Sequence, residues 1–334
     1  MHDVVILGAG VAGLACARRL MQAGADVAIL DRADKPGGRC ATRWHDGEPF
    51  DYGPLFVHGS DPGFLEAAAE AGEPGRQNGW PQRVAGHGTP CQPNAFSPHE
   101  TRFAFAEGLT VFPRALSKNL NVRLNTLVTA VKSSGNEIIV QTATGQNVSA
   151  RDAVVAFALE QSSALLQTLG KEAASTVALV DMFSSLPCLA VVAGYPAGTA
   201  VPDWDIMYPD DDVMVLLIGN ESSKRPLAKS LTLVFQGSAR WSRHNLEKPK
   251  EEWSRELLAG AARLLGSWAS SPEWVHEHRW RYARLDSANE LAAPLVAHLG
   301  KSRLGLAGDL FAPGGGMQAA WLSGDRLGQT LSRR

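Results

Sequence analysis

The chain predicts an α/β fold of two domains, one on a parallel sheet and a smaller one on an antiparallel sheet. Three observations predict it. Residues 4–31 read as strand–turn–helix–strand, residues 186–236 hold four short strands with no helix between them, and residues 303–331 repeat the strand-to-helix glycine turn. In the first unit Val4-Val5-Ile6-Leu7 is a buried strand, and Gly8, Gly10 and Gly13 follow at G-x-G-x-x-G spacing. Leu14, Ala17, Leu20 and Met21 then recur at helical spacing, Gly24 ends the helix, and Val27–Leu30 is a second buried strand closed by Asp31. Gly8 permits the tight turn, Gly10 lets a pyrophosphate approach the backbone, and Gly13 lets helix and strand pack closely. The helix N-terminus offers free N–H groups and partial positive charge to the phosphates. Asp31 stands where an acid accepts a ribose hydroxyl, which suits FAD or NAD and repels the extra phosphate of NADP. The fold expected around it is Rossmann-like.

The remaining elements follow in order. Pro36-Gly37-Gly38-Arg39 breaks structure and frees backbone N–H groups, and after a dinucleotide unit it reads as a second phosphate contact. Phe50–His58, with its glycine and apolar run, reads as chain passing close to something flat. Phe64–Ala71 reads as a short helix, and residues 72–100, rich in Gly, Pro, Gln and Asn, as irregular structure. Thr101–Ala106 is a strand and Pro113–Asn119 a short helix. Strands follow at Val122–Val131 and Glu137–Thr142, a turn at Thr144-Gly145, and a buried strand at Ala153–Ala156. Residues 159–181 read as helix. The strands at Leu186–Gly194, Asp205–Tyr208, Val213–Gly219 and Leu231–Gln236 make the antiparallel sheet. Helices follow at Ala239–Leu246 and Glu251–Leu265, the second started by Pro249. Trp274–Ala283 is a long strand whose alternation sets Trp274, His276, His278, Trp280 and Tyr282 on one side. That side either lines a pocket or packs against a neighbouring layer. The strand ending in Gly308-Asp309, the run Gly314-Gly315-Gly316 and the helix Met317–Leu331 make a second anion-friendly turn, so both chain ends can meet one elongated cofactor.

Composition limits the classes. The chain has 334 residues, 45% hydrophobic and 20% charged, with a formal net charge of −2. There is no basic excess for nucleic acid and no apolar run long enough to cross a membrane. The first residues lack a basic stretch ahead of their apolar run, so no secretory signal is expected. Cys16, Cys40, Cys91 and Cys188 form no C-x-x-C pair and read as reduced thiols of a cytoplasmic protein. The nine histidines show no metal spacing, and no metal is expected.

With these residues in hand, the chain resembles the flavin-containing amine oxidase superfamily. The resemblance rests on Val4–Asp31, Gly37-Gly38-Arg39, Asp51-Tyr52-Gly53 and Gly308-Asp309 with Ala320-Trp321-Leu322-Ser323-Gly324. Trp241-Ser242-Arg243-His244-Asn245-Leu246, His278-Arg279-Trp280-Arg281-Tyr282-Ala283 and the AWLSG tail are similar to segments of bacterial renalases. It runs over residues 1–60 and from about 120 onward. It implies a discontinuous FAD-binding domain (1–60, 120–158, 300–334) and a substrate domain (61–119, 159–299), an amine oxidase/p-hydroxybenzoate hydroxylase-like architecture. It also implies an FAD oxidoreductase that takes hydride from a small organic substrate, dihydronicotinamide isomers in the renalase case, and passes electrons to an acceptor such as molecular oxygen.

By the same resemblance, Gly8, Gly10, Val11, Ala12, Gly13, Asp31 and Arg32 hold the ADP half of FAD. Gly38 and Arg39 reach the pyrophosphate, and the Val128 backbone meets the adenine. Gly308 and Asp309 bind the ribityl or pyrophosphate part, and Gly316, Met317 and Gln318 sit beside the flavin pyrimidine. Leu55 faces the flavin where bacterial renalases carry glutamine, and Gly314-Gly315-Gly316 stands where they often have Ser-Gly-Arg. Both departures fall near the expected substrate face. Phe56, His58, Trp280 and Tyr282 are the candidates for the substrate pocket, and no catalytic base is assigned. Amine oxidation, NADPH-fed hydroxylation and non-catalytic FAD binding are the competing readings. A hydroxylase would often carry a second dinucleotide fingerprint, and Gly86-His87-Gly88 lacks the strand and helix for one. No cysteine follows Cys188 and no histidine follows His298, so the last segment offers no covalent tether and FAD is expected to be non-covalent.

Overall fold

The computed structural model describes residues 1–72, 75–88, 90, 93–286 and 290–333. The chain forms two compact units: Met1–Gly38, Phe112–Ser185 and Leu285–Arg334 make one, and Arg39–Val111 and Leu186–Arg284 the other.

The chain opens in the first unit with β1 (His2–Leu7), α1 (Val11–Gln22) and β2 (Val27–Leu30). The strands pair in parallel, Val4 opposite Val27 and Leu7 opposite Leu30. Val4–Leu7 and Val27–Leu30 are buried without alternation, as in a sheet covered on both faces. In the second unit follow β3 (Thr42–His45), β4 (Glu48–Asp51), β5 (Val57–Gly59), α2 (Pro62–Gly72), β6 (Arg76–Asn78), β7 (Val84–Ala85) and β8 (Thr101–Phe105). Asp46 and Gly47 both take positive φ, 47° and 81°, and close the β3–β4 hairpin, which the sequence reading missed. Strands β5, β8 and β6 form an antiparallel sheet, so residues 72–100 are not wholly irregular. Cys91 lies outside the described residues.

Beginning with α3 (Val111–Leu116), the chain returns to the first unit for β9 (Asn121–Arg123), β10 (Val128–Ser133), β11 (Ile138–Thr142), β12 (Asn147–Val155), α4 (Leu159–Leu166) and α5 (Ala174–Val180). The single strand expected over 122–131 is two strands, because Asn125 turns the chain at φ 52°. The helix expected over 159–181 is broken at Gly170, φ 61°. The nine-residue β12 organises this sheet. One edge takes β1, and the other takes β11 along its first half and the later β19 along its second.

The second unit resumes with β13 (Ser185–Gly194), β14 (Ile206–Met207), β15 (Val215–Asn220), β16 (Thr232–Gly237), α6 (Ala239–Asn245), α7 (Lys250–Leu265) and β17 (Trp274–Leu285). The order β17-β13-β16-β15-β14-β7 includes antiparallel pairing from β13 through β14, as expected. Alternation splits the strands between two cores. Val191, Leu233 and Phe235 pack with Trp253, Leu257 and Ala261 of α7, whereas Val192, Val234 and Leu217 pack with Phe50, Tyr52, Leu55 and Phe56. The chain closes in the first unit with β18 (Leu295–Leu299), β19 (Ser302–Leu306) and α8 (Gly316–Ser332).

The unit boundaries differ from those expected. Residues 39–60 belong to the second unit, because β5 pairs with β8 and Asp51 pairs with Lys224. Residues 159–185 belong to the first, because Leu159, Leu165, Leu166 and Val180 join the core under β10–β12. Residues 285–299 join it through the β18–β19 pairing. No helix among the described residues is long and apolar enough to cross a membrane.

Candidate cofactor and substrate site

In the first unit, the turn after β1 has the geometry its glycines call for. Gly8 lies at φ 112°, and a Cβ there would stand 2.7 Å from the Ala156 carbonyl oxygen. A Cβ on Gly13 would overlap the Gly8 carbonyl oxygen. Gly10 differs, because a Cβ there would meet nothing within 4 Å. It is the N-cap of α1 and carries no side-chain cap. This open backbone at a helix N-terminus is what a pyrophosphate approaches, so the turn fits a dinucleotide. Val11 and Ala12 are buried in the first turn of α1.

The Pro-Gly-Gly loop lies against this turn. Gly37 donates to the Ala9 carbonyl at 2.9 Å, and a Cβ on Gly38 would sit 3.4 Å from Gly10 Cα. Asp31 accepts from Ala9 N–H at 2.6 Å and from Ala33 N–H at 2.8 Å. Its carboxylate is thereby held against the glycine turn, while Arg32 beside it is exposed. Thr126 N–H bonds the Asp31 carbonyl at 2.8 Å, which brings the start of β10, Val128, to the same edge.

The terminal unit reaches that edge in parallel. Strands β1 and β19 both run parallel to β12. Helices α1 and α8 pack with Gly324 against the Ala12 carbonyl and Gly328 against Cys16 and Arg19, and Arg19 pairs with Asp325 at 2.8 Å. That register sets the N-terminus of α8 about two turns, roughly 10 Å, beyond that of α1. Gly308 N–H bonds Ser323 Oγ at 2.9 Å, and Asp309 is half-buried next to it. Gly314, Gly315 and Gly316 take φ values of 94°, 62° and 63°, a left-handed run that only glycine adopts easily, and Met317 and Gln318 follow in the first turn of α8. Gly8, Gly10–Gly13, Asp31, Arg32, Gly38, Val128, Gly308, Asp309 and Gly316–Gln318 thus all belong to one unit.

The other candidates belong to the second unit. Arg39 donates to the Ala283 carbonyl at 3.3 Å. Leu55 is buried, and its Cδ1 fills the space beside Gly219. Phe56 is buried with its ring 5.8 Å from Trp80. His58 is buried against Glu100, Nδ1 to Oε2 3.1 Å. Burial holds its imidazole below the usual range, opposed by the Glu100 hydrogen bond. Trp280 stacks on Tyr52 at 5.3 Å between centroids and donates to the Tyr52 carbonyl at 2.8 Å. His278 packs 4.7 Å from Tyr52 and 4.2 Å from Trp280, and His276 contacts Arg43. Burial first, then the Arg43 guanidinium, brings both histidines down to about 4, so they are neutral at neutral pH. The aromatic side of β17 therefore packs on the β3–β4 hairpin, with Tyr282 half-buried beyond it.

The sequence reading missed a buried charge cluster behind this layer. Asp51, Glu221 and Lys224 have fully buried side chains. Lys224 Nζ bonds Asp51 at 3.0 Å and also contacts Glu221, and its ammonium lies 4.7 Å from the Trp80 ring. Asp51 also accepts from Thr42 Oγ1 at 2.6 Å and Leu109 N–H at 2.8 Å. Gln236 holds the Gly53 carbonyl at 2.7 Å. Together these fix the Asp51–Leu55 segment. Among the described residues no group of three or more His, Cys, Asp or Glu could hold a metal ion.

An open glycine turn, an acid held against it and a second helix N-terminus on the same edge fit a dinucleotide-binding unit. Residues 6–70 match an NAD(P)-binding Rossmann-like domain, and residues 78–329 match the flavin-containing amine oxidoreductases. The chain belongs to the flavin-containing amine oxidoreductase family, an enzyme family whose cofactor is FAD. Over 68 residues it is 50% identical to phytoene desaturase (lycopene-forming) of Pseudescherichia vulneris, a match covering 20% of this chain and 13% of that one. The chain thus spans about an eighth of that relative's length. Its fold is similar to cyclohexylamine oxidase from Brevibacterium oxydans IH-35A, with TM-score 0.73, 16% identity and 99% and 98% of the two chains covered. It is also similar to wild-type putrescine oxidase bound to putrescine, with TM-score 0.70, 17% identity and 100% and 99% covered.

Proposed function

We propose that this protein is an FAD-dependent oxidase or dehydrogenase that accepts hydride from a small organic substrate, of renalase type, with a dihydronicotinamide isomer as donor. The observation that carries the flavin part is the open Gly10 position between Asp31 and the Gly37-Gly38 loop. When bound, FAD supplies hydride acceptance at its N5. Gly8–Gly13, Asp31, Arg32 and Gly38 hold the ADP half, with Arg39 at the pyrophosphate and Val128 at the adenine. Gly308 and Asp309 hold the linking chain. The N-terminus of α8, at Gly316, Met317 and Gln318, stabilises negative charge on the pyrimidine. The cofactor is held without a covalent bond, so acid precipitation is expected to leave the yellow colour in the supernatant. A yellow pellet overturns this.

The renalase part rests on the segments 241–246 and 278–283 and on the chemistry of the product. A nicotinamide cation is already stable, so its formation needs no acid–base residue. Phe56, His58, Trp280 and Tyr282 are assigned to the substrate pocket, molecular oxygen is the acceptor, and the compartment is the cytoplasm, where thiols stay reduced. Amine oxidation is the second reading, favoured by the aromatic residues assigned to the pocket, which suit an amine or its cation. Anaerobic titration separates them. Bleaching of the oxidised-flavin band by 2- and 6-dihydronicotinamides alone supports the first reading, and bleaching by amines alone replaces it with the second. A bound flavin that nothing bleaches overturns both.

A further inference from the structure

The second unit contains a cavity of about 260 Å³ whose lining includes no residue of the dinucleotide turn. It lies where β15 ends and β16 begins, against the turn that follows β13. Its walls include Arg83, Arg225 and Lys229 together with Thr199, Ser222 and Ser223. No carboxylate lines it among the described residues. Asp205 and Glu221 lie behind the two arginines, buried, and each takes one edge of a guanidinium: Arg83 Nη2 to Asp205 at 2.6 Å and Arg225 Nη1 to Glu221 at 3.1 Å. Glu48 accepts from the Lys229 backbone N–H at 3.1 Å.

Arg225 distinguishes this cavity from an ordinary basic surface. Its side chain is nine-tenths buried, its Nε donates to the Ala106 carbonyl and its Nη1 to Glu221. Its Nη2 is buried with no hydrogen-bond partner. An orphaned cationic donor costs free energy comparable to a lost charged hydrogen bond. Arg83 is half-exposed and makes no other side-chain bond among the described residues, and the exposed Lys229 side chain makes none.

We propose that this cavity binds a small phosphorylated compound, its phosphate seated among the cationic side chains of Arg83, Arg225 and Lys229. The hydroxyls of Thr199, Ser222 and Ser223 already donate to the Pro196, Ser230 and Asn220 carbonyls. The part of the Arg83 guanidinium that Asp205 leaves free, Nη2 of Arg225 and an ammonium offer three positive groups to the oxygens of a dianion. The cavity is smaller than the roughly 300–1,000 Å³ of drug-sized sites, which restricts the organic part to a few heavy atoms.

The test is calorimetric titration of the FAD-loaded protein with inorganic phosphate at low ionic strength, with chloride as control. Saturable one-site binding is expected with phosphate and none with chloride. Lys229→Glu and Arg83→Gln are each expected to weaken binding about tenfold, one charge-assisted hydrogen bond apiece. The exposed Lys229 side chain holds nothing in place, so its variant retains FAD and the wild-type melting temperature. Absence of saturable heat, or binding by Lys229→Glu within twofold of wild type, overturns the proposal.

Discussion

Replacing Lys224 with methionine tests the reading of the second unit directly. The substitution keeps most of the unbranched side chain and removes a charge that is wholly buried between Asp51 and Glu221. Asp51 retains the Thr42 hydroxyl and Leu109 N–H, and Glu221 retains Arg225, but the cluster then holds two carboxylates and one cation. Removing one partner of a buried ion pair costs about 3–5 kcal/mol, chiefly because a charge is left without its counter-ion. The lost contact with the Trp80 ring adds about 0.5–2 kcal/mol. Against a total stability of about 5–15 kcal/mol this is a large fraction. At about 2–4 °C per kcal/mol for a unit of this size, the melting temperature falls by roughly 7–28 °C. Differential scanning calorimetry on the FAD-loaded protein measures it. The double replacement Asp51→Asn, Lys224→Met leaves Glu221 balanced by Arg225 and is expected to recover most of the loss. A drop of less than about 3 °C in the single variant, or no recovery in the double one, refutes the reasoning.

Other predictions concern both units. Gly13→Ala forces the turn apart, because its Cβ meets the Gly8 carbonyl, and the protein is expected to purify without flavin. Gly10→Ala points a methyl into open space. Its melting temperature without cofactor stays within about 2 °C of wild type while FAD affinity falls at least about tenfold, and unchanged affinity removes Gly10 from the pyrophosphate path. His278 is held down to about 4 by burial, then by Arg43 and His276, against about 6.5 in the unfolded chain. Between those values the unfolded chain binds a proton that the folded one does not, so stability falls as pH drops from about 6.5 to about 4. His278→Gln flattens the melting temperature across that window, and an unchanged slope rules the residue out. Cys16, Cys40 and Cys188 are buried, and burial pushes Cys40 up to about 12, so a thiol reagent is expected to titrate no more than Cys91 before unfolding and all four afterwards.

Much of this fold is legible in the chain because its signals are local. The switch from an apolar run to 3.6-residue periodicity after Gly8-x-Gly10 marks β1, α1 and β2 within thirty residues. Strands β13, β15 and β16 carry enough Val, Leu and Ile to be read singly, and the alternation of Trp274–Tyr282 identified the face that packs on Tyr52. The buried charges were not legible. Asp51 and Lys224 are 173 positions apart, and a lysine between two serines and an arginine reads as a solvated loop. Only the fold makes it interior. The boundary at residue 39 was hidden for the same reason, since β5 finds its partner β8 more than forty residues later across a stretch with weak periodicity. Short strands such as β7 and β14, two residues each, exist through pairing with each other and carry no pattern of their own.

The shared strand β12 has a consequence for synthesis. One of its edges is finished as soon as it emerges, because β1 already waits for it, but its far half stays bare until β19 is made about 150 residues later. At ribosomal rates of about 5–20 residues per second that interval lasts roughly 8–30 s. During it, Ala153-Val154-Val155 offers an unpaired, apolar parallel edge to any other nascent chain. Slowing translation after β12, or truncating the message before β19, is therefore the condition under which this protein should aggregate or recruit chaperones, whatever the stability of its finished form.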